Sequence, residues 1–182
     1  MKTEPTVMYV LRLALTLLVI TAVVAALLAG VNSITAPAIA ELNAKNTQAA
    51  IEAVLPGGGE ELAEFPAVEL VSKVYASDAG YAIQVTPGGF DNTITMMVGV
   101  DKSGNVLGID VISHTETAGL GAVADAETPA GIAFREQFIG TSGSVSVTKD
   151  GGQMDAITGA TITSRAICAG VNAALECAAQ MG

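Results

Sequence analysis

Cysteine, histidine and positive charge are all scarce in this chain, and each shortage removes a class of function. The two cysteines, Cys168 and Cys177, stand nine residues apart on one expected helix. At 3.6 residues per turn they fall on opposite faces, about 13 Å apart along the axis, so they cannot pair with each other. They provide neither a disulfide scaffold nor a metal-ligand spacing. His114 is the single histidine. A proton relay is conceivable there, but a lone histidine at a strand end is ordinarily a structural hydrogen-bonding residue. Lysine and arginine number eight against 18 acidic residues, and residues 32–182 carry six basic and 17 acidic side chains, a formal balance of −11. Such a surface repels phosphate backbones and argues against nucleic acid as a partner. There is no internal repeat, no low-complexity block, no Gly-x-Gly-x-x-Gly strand-to-helix turn and no Leu-x-x-Cys lipidation site.

Charge is also missing from Leu13 to Val31, 19 consecutive residues. That is close to the ~20 a helix needs to span hydrocarbon, so residues 13–31 are a transmembrane candidate. Arg12 can reach the interface from its start, and Tyr9 is a plausible interfacial anchor. A cleaved signal peptide is the competing account, but apolar regions of signal peptides run to about 15 residues, shorter than this one. Lys2 and Arg12 precede the run and the next cation is Lys45. The positive-inside rule then puts residues 1–12 in the cytoplasm and everything after residue 31 outside, in a single-pass cell-membrane protein.

Residues 36–55 are rich in helix formers, with Pro37 suited to a first turn and Pro56-Gly57-Gly58-Gly59 as the stop. Residues 32–60 read as a connecting helix and turn, and 61–182 as one domain. Within it, 68–75, 81–86, 94–100 and 106–112 have the composition of short strands. The tight connections Ser77–Gly80 and Asp101–Asn105 make hairpins, which are antiparallel by necessity. A helix is expected over 129–140, with Ile132, Ala133, Phe134, Phe138 and Ile139 available for packing and Arg135 and Glu136 on a solvated face. A short strand is expected at 144–148. A last helix runs to Ala179, with Ile167, Val171, Ala174, Leu175 and Ala178 facing the sheet. The class is α+β: an antiparallel sheet with flanking helices, preceded by one N-terminal transmembrane helix.

Two stretches carry chemistry. Asp155-Ala156-Ile157-Thr158-Gly159-Ala160-Thr161 leads straight into the last helix. Hydroxyls and small residues at a helix mouth suit a phosphate, because first-turn N–H groups lack intrahelical partners. The alternative is a hydroxyl-capped helix with no ligand. His114-Thr115-Glu116-Thr117-Ala118-Gly119-Leu120-Gly121 follows the fourth strand. Its glycines let backbone N–H groups approach a ring edge and its leucine can cover a ring face, whereas a plain glycine loop is the other reading.

The pattern Asp-x-x-Thr-Gly-Ala-Thr, together with His-x-Glu-Thr-x-Gly-Leu-Gly, resembles the FMN-binding domain shared by the G subunit of Rnf ferredoxin:NAD oxidoreductases and the C subunit of sodium-pumping NADH:quinone reductases. Ala118 stands where that family commonly has proline. The resemblance implies that Thr161 carries FMN through a phosphoester, attached by a separate flavin transferase that uses FAD, and that 61–182 is an extracytoplasmic FMN-binding domain. Thr158, Thr163 and Ser164 are then candidates to bond the phosphate, beside Gly159 and Ala160. Glu116, Thr117, Gly119, Leu120 and Gly121 are candidates to hold the ring system, and Asp155 to serve the attachment step. No catalytic residue and no metal is expected. The implied activity is that of an electron-carrying subunit of an Rnf-type ion-translocating complex, in contact with other membrane and peripheral subunits, membrane lipid and, during maturation, the transferase. The quinone reductase component is the nearest alternative. A membrane-anchored phosphate- or flavin-binding module without redox partners is the second.

Overall fold

The computed structural model describes residues 6–182. Its helices are α1 (Thr6–Val54), α2 (Pro129–Glu136) and α3 (Thr161–Met181), and its strands are β1 (Glu60–Glu61), β2 (Val71–Ala76), β3 (Gly80–Val85), β4 (Thr95–Asp101) and β5 (Val106–Ser113). Short 3-10 turns occupy Gly121–Ala124 and Thr148–Asp150. The chain forms two compact units that divide between Ala44 and Lys45.

In the first unit α1 exposes Leu, Val and Ile all round. From Met8 it is long and apolar enough to cross a membrane, and none of its most apolar window, of mean hydropathy 2.6, is buried within the protein. A helix that is apolar on every side needs an apolar surrounding. The helix expected over 36–55 continues without a break from the apolar run before it, with Pro37 inside α1 and not in a first turn. Its missing N–H costs one backbone bond without ending the helix. Lys2, half of the orientation argument, lies outside the described residues.

The second unit is built on one sheet in the order β1-β2-β3-β4-β5, antiparallel throughout. Successive side chains in a strand point to opposite faces, and here both faces are covered. Val74, Ile83, Met96 and Val98 lie in one core with Ile167, Val171 and Ala174 of α3. Their neighbours Tyr75, Ala82 and Met97 lie in a second with Ala50, Ile51, Val54 and Leu55. A Cβ on Gly99 would collide with the Val54 carbonyl, so the helix end rests directly on the β4 backbone.

The α+β class stands, as do the two predicted hairpins. Three details differ. Leu70 adopts φ 72°, a left-handed turn that delays the expected strand 68–75 until Val71, and the two-residue β1 pairs with that strand's far end. Arg135 is not on a solvated face: its side chain donates to the Ala124 and Ala126 carbonyls at 2.9 and 3.2 Å and to Glu127 at 2.7 Å. Of the apolar residues of that segment, Phe134 and Phe138 pack edge to face, whereas Ile132 and Ile139 are exposed.

The expected strand 144–148 is absent. Val145 and Val147 are buried as its alternation required, but Val147 makes only an isolated bridge with Met154. The partner of Val145 is a side chain: its N–H donates to Asn172 Oδ1 at 2.7 Å and its carbonyl accepts from Asn172 Nδ2 at 2.9 Å. Asn172→Leu leaves both backbone groups unpaired, and a loss of about 1–3 kcal/mol is expected, read as a lower thermal midpoint of the solubilised chain.

Both cysteines are free and buried on α3. Burial, with Asp150 adding to it, pushes the Cys168 thiol up to about 11, and burial raises Cys177 as well. Thiolates are the reactive form. Neither cysteine should react with a maleimide at pH 8 until the protein is denatured, when intact mass should show both modified.

Candidate functional site

The turn before α3 is held from within. The Ser164 hydroxyl accepts from the Ile157 N–H at 3.0 Å and donates to the Ala160 carbonyl at 2.9 Å. Between them Gly159 sits at φ 79°, where a side chain would be strained and would press on Leu120. Ser164 is fully buried, so its hydroxyl braces this turn and does not face outward. Ala160 is the N-cap residue, and no side chain caps the helix. Thr161 is therefore the first helical residue, not its cap. The first-turn N–H groups have no intrahelical acceptor.

A cation stands over Thr161. Lys149 Nζ donates to Thr161 Oγ1 at 3.0 Å. Lys149 belongs to the 3-10 turn Thr148–Asp150, and the next residue is gripped by α3: Arg165 Nε and Nη2 donate to the two Asp150 carboxylate oxygens at 2.7 and 2.6 Å. These bonds hold the Asp150 carboxyl below its ordinary range and raise Arg165.

From the other side comes the loop after β5. Glu116 is buried, and its carboxylate is fully used: Oε1 accepts from the Phe90 N–H at 2.8 Å and Oε2 from the Thr163 hydroxyl at 2.6 Å. It thereby joins three segments, the β3–β4 loop, its own loop and the first turn of α3. A Cβ on Gly89 or on Gly121 would strike this carboxylate. His114 Nδ1 accepts from the Glu116 N–H at 3.1 Å, which leaves the ring proton on Nε2, 3.7 Å from Asp125. The histidine fixes the loop, as a structural residue does.

These segments enclose a cleft of about 250 Å³. Of the residues singled out in the sequence, Glu116, Thr117, Leu120, Gly121, Gly159, Ala160, Thr161 and Thr163 all border it. Thr158, Gly119 and Asp155 border a neighbouring depression with Phe134 and Gln137. There Gln137 clasps the Asp155 backbone, accepting from its N–H at 2.7 Å and donating to its carbonyl at 3.1 Å. Three cleft residues escaped the sequence reading: Phe90, Lys149 and Ile162. The long β3–β4 connection with an aromatic at its tip was the one signal available for Phe90.

Chemically the cleft has two ends. At the helix N-terminus, a hydroxyl, an ammonium and unpaired N–H groups suit a phosphoryl group. Around it Phe90, Leu120 and Ile162 expose 67, 43 and 49% of their surface, an apolar setting for a flat ring. One of the other depressions, of about 570 Å³ beside Ser144 and Asn172, has no cation on its walls. The residues present thus fit a flavin mononucleotide.

Comparison with known proteins names the same cofactor. Residues 89–176 match the FMN-binding domain family. The chain is 32% identical to the G subunit of the Na(+)-translocating ferredoxin:NAD(+) oxidoreductase complex of Acetobacterium woodii, over 92% of this chain and 90% of that protein. It is also 32% identical to the G subunit of the ion-translocating oxidoreductase complex of Methanosarcina acetivorans, over 91% of this chain and 92% of the relative. The corresponding protein of Vibrio vulnificus is 41% identical over 50% of this chain and 45% of its own length. With two relatives aligned over at least nine tenths of both chains and the cleft inside the matched region, the chain belongs to the family of G subunits of ion-translocating oxidoreductase complexes and contains that family's FMN-binding domain.

Proposed function

We propose that this chain is the membrane-anchored, electron-carrying subunit of an Rnf-type ion-translocating ferredoxin:NAD oxidoreductase complex, with FMN linked to Thr161 by a phosphoester. The observation that carries the reading is the position of Thr161: the first residue of an uncapped helix, half-buried, with its hydroxyl at the phosphate end of an apolar cleft. Bound FMN supplies exchange of electrons singly or in pairs, so one fixed group can connect carriers of both kinds. The chain's own residues do the holding. Thr161 retains the phosphate, the first-turn N–H groups stabilise its charge, and Gly159 and Ala160 leave room beside it. Phe90, Leu120 and Ile162, with Thr117 and Gly121, line the cleft and would hold the ring system. Glu116 and Thr163 set the spacing between the loops, and Ser164 braces the turn. Asp155, on the adjoining depression with Thr158 and Gly119, serves the attachment step.

Residues 13–31 anchor the protein in lipid, 32–60 connect, and 61–182 work outside the cytoplasm beside the other membrane and peripheral subunits. A phosphoester stops loss of the cofactor from such a site. Two measurements test this. Full-length protein made with a flavin transferase should keep a fluorescent flavin through denaturing electrophoresis, and a dark band would contradict the linkage. A reporter fused after Gly182 should be active only outside the cytoplasm, and cytoplasmic activity would reverse the orientation.

A further inference from the structure

We infer that Lys149 is the charge partner of the phosphoryl group at Thr161 and speeds its attachment, and that the Asp150–Arg165 pair holds it in position. This rests on the reading of Thr161 as the linked residue. Lys149 touches the atom that would form the new bond, with Nζ 3.0 Å from Thr161 Oγ1. Among the described residues that border the cleft it is the one cation, in a chain whose residues 32–182 have a formal balance of −11. The other charge on the cleft wall, Glu116, is locked to Phe90 and Thr163.

The neighbouring Asp150 would compete for this ammonium, but both its oxygens are taken by Arg165. Arg165 lies four residues after Thr161, on the same side of α3 one turn further on. The ion pair therefore ties the turn that carries Lys149 to the helix that carries Thr161. The cation is in place before any ligand arrives, and preorganised charge is the effective kind.

Attachment forms a bond from Thr161 Oγ1 to phosphorus and breaks the pyrophosphate bond of a flavin dinucleotide donor. The nucleoside monophosphate leaves, the hydroxyl proton passes to solvent, and nothing is oxidised or reduced. An ammonium that donates to Oγ1 cannot accept that proton. Its part is electrostatic: it lowers the cost of negative charge gathering on the attacking oxygen and the phosphoryl oxygens, and remains beside the phosphodiester anion afterwards.

The test follows FMN incorporation into full-length, detergent-solubilised protein by purified flavin transferase and FAD, read by in-gel fluorescence and intact mass. Lys149→Met should slow incorporation at least ~10-fold, and Lys149→Arg should restore it to within about 3-fold of wild type. Lys102→Met, on the distant β4–β5 turn, serves as a control and should match wild type. Because Lys149 is exposed, thermal midpoints should not change. Arg165→Met, which frees Asp150 to bind Lys149, should also slow incorporation, and more than the double variant Asp150→Asn/Arg165→Met does. Unaltered incorporation in Lys149→Met overturns the proposal. So does Lys149→Arg as slow as Lys149→Met, since shape and not charge would then matter. A wild-type chain that takes up no flavin removes the Thr161 reading itself, and this inference with it.

Discussion

Thr161→Val should abolish covalent flavin while leaving the fold intact. Valine has the volume and branching of threonine and lacks only the hydroxyl, so α3 keeps its first residue and the cleft its shape. The lost contact is the Lys149 Nζ bond at 3.0 Å, an exposed interaction of small structural worth. Thr161→Ser retains a hydroxyl at the same place and should still be labelled. Thr158→Val should be labelled as well, because Thr158 borders the adjoining depression and not the cleft. In-gel fluorescence after co-production with the transferase reads all three. Fluorescence surviving in Thr161→Val would place the linkage elsewhere.

Glu116→Ala should have the largest effect on the architecture of the site. The change strips the acceptor from the Phe90 N–H and the Thr163 hydroxyl where Glu116 is only 8% exposed. A buried donor left unpaired costs about 1–3 kcal/mol; the Thr163 hydroxyl is buried and the Phe90 N–H part-buried, so water offsets part of the second loss. A net loss of about 2–4 kcal/mol would lower the thermal midpoint by roughly 5–10 °C in a chain of this size. Glu116→Gln keeps one oxygen acceptor and should lose less. The β3–β4 loop, freed of its tether, should also expose the flavin, seen as a shift of its reduction potential and stronger quenching by iodide. A potential equal to wild type in Glu116→Ala would remove the Phe90 loop from the flavin's surroundings.

Much of the second unit was legible because its signals are local. Ser77–Gly80 and Asp101–Asn105 are short turn sequences between apolar runs, and two such hairpins nearly dictate an antiparallel meander. The face of α3 was legible from spacing alone, with Ile167, Val171 and Ala174 fully buried. At 144–148 the alternation was real but its interpretation was not: Val145 and Val147 are buried, yet Asn172 supplies the hydrogen bonds a strand would have given. No pattern in the sequence reveals a side chain substituting for a strand. Arg135 misled for a similar reason, since its partners are the carbonyls of a loop about ten residues upstream.

The site divided in the same way. Thr161, Glu116 and Gly121 lie in contiguous motifs with recognisable chemistry. Lys149 meets Thr161 at a separation of 12 positions, and Phe90 meets Glu116 at a separation of 26; neither has a local pattern of its own. Ser164 was legible as part of a hydroxyl cluster, but its inward orientation depends on how the turn before α3 closes.

The most direct test of the account is the mass of one peptide. Tryptic cleavage after Lys149 and Arg165 releases residues 150–165, which contain Thr158, Thr161, Thr163 and Ser164 together. Tandem mass spectrometry of wild-type protein matured by the transferase should find a single FMN phosphoester on this peptide, with fragment ions assigning it to Thr161. An unmodified peptide, or a flavin on any other residue, would contradict the account.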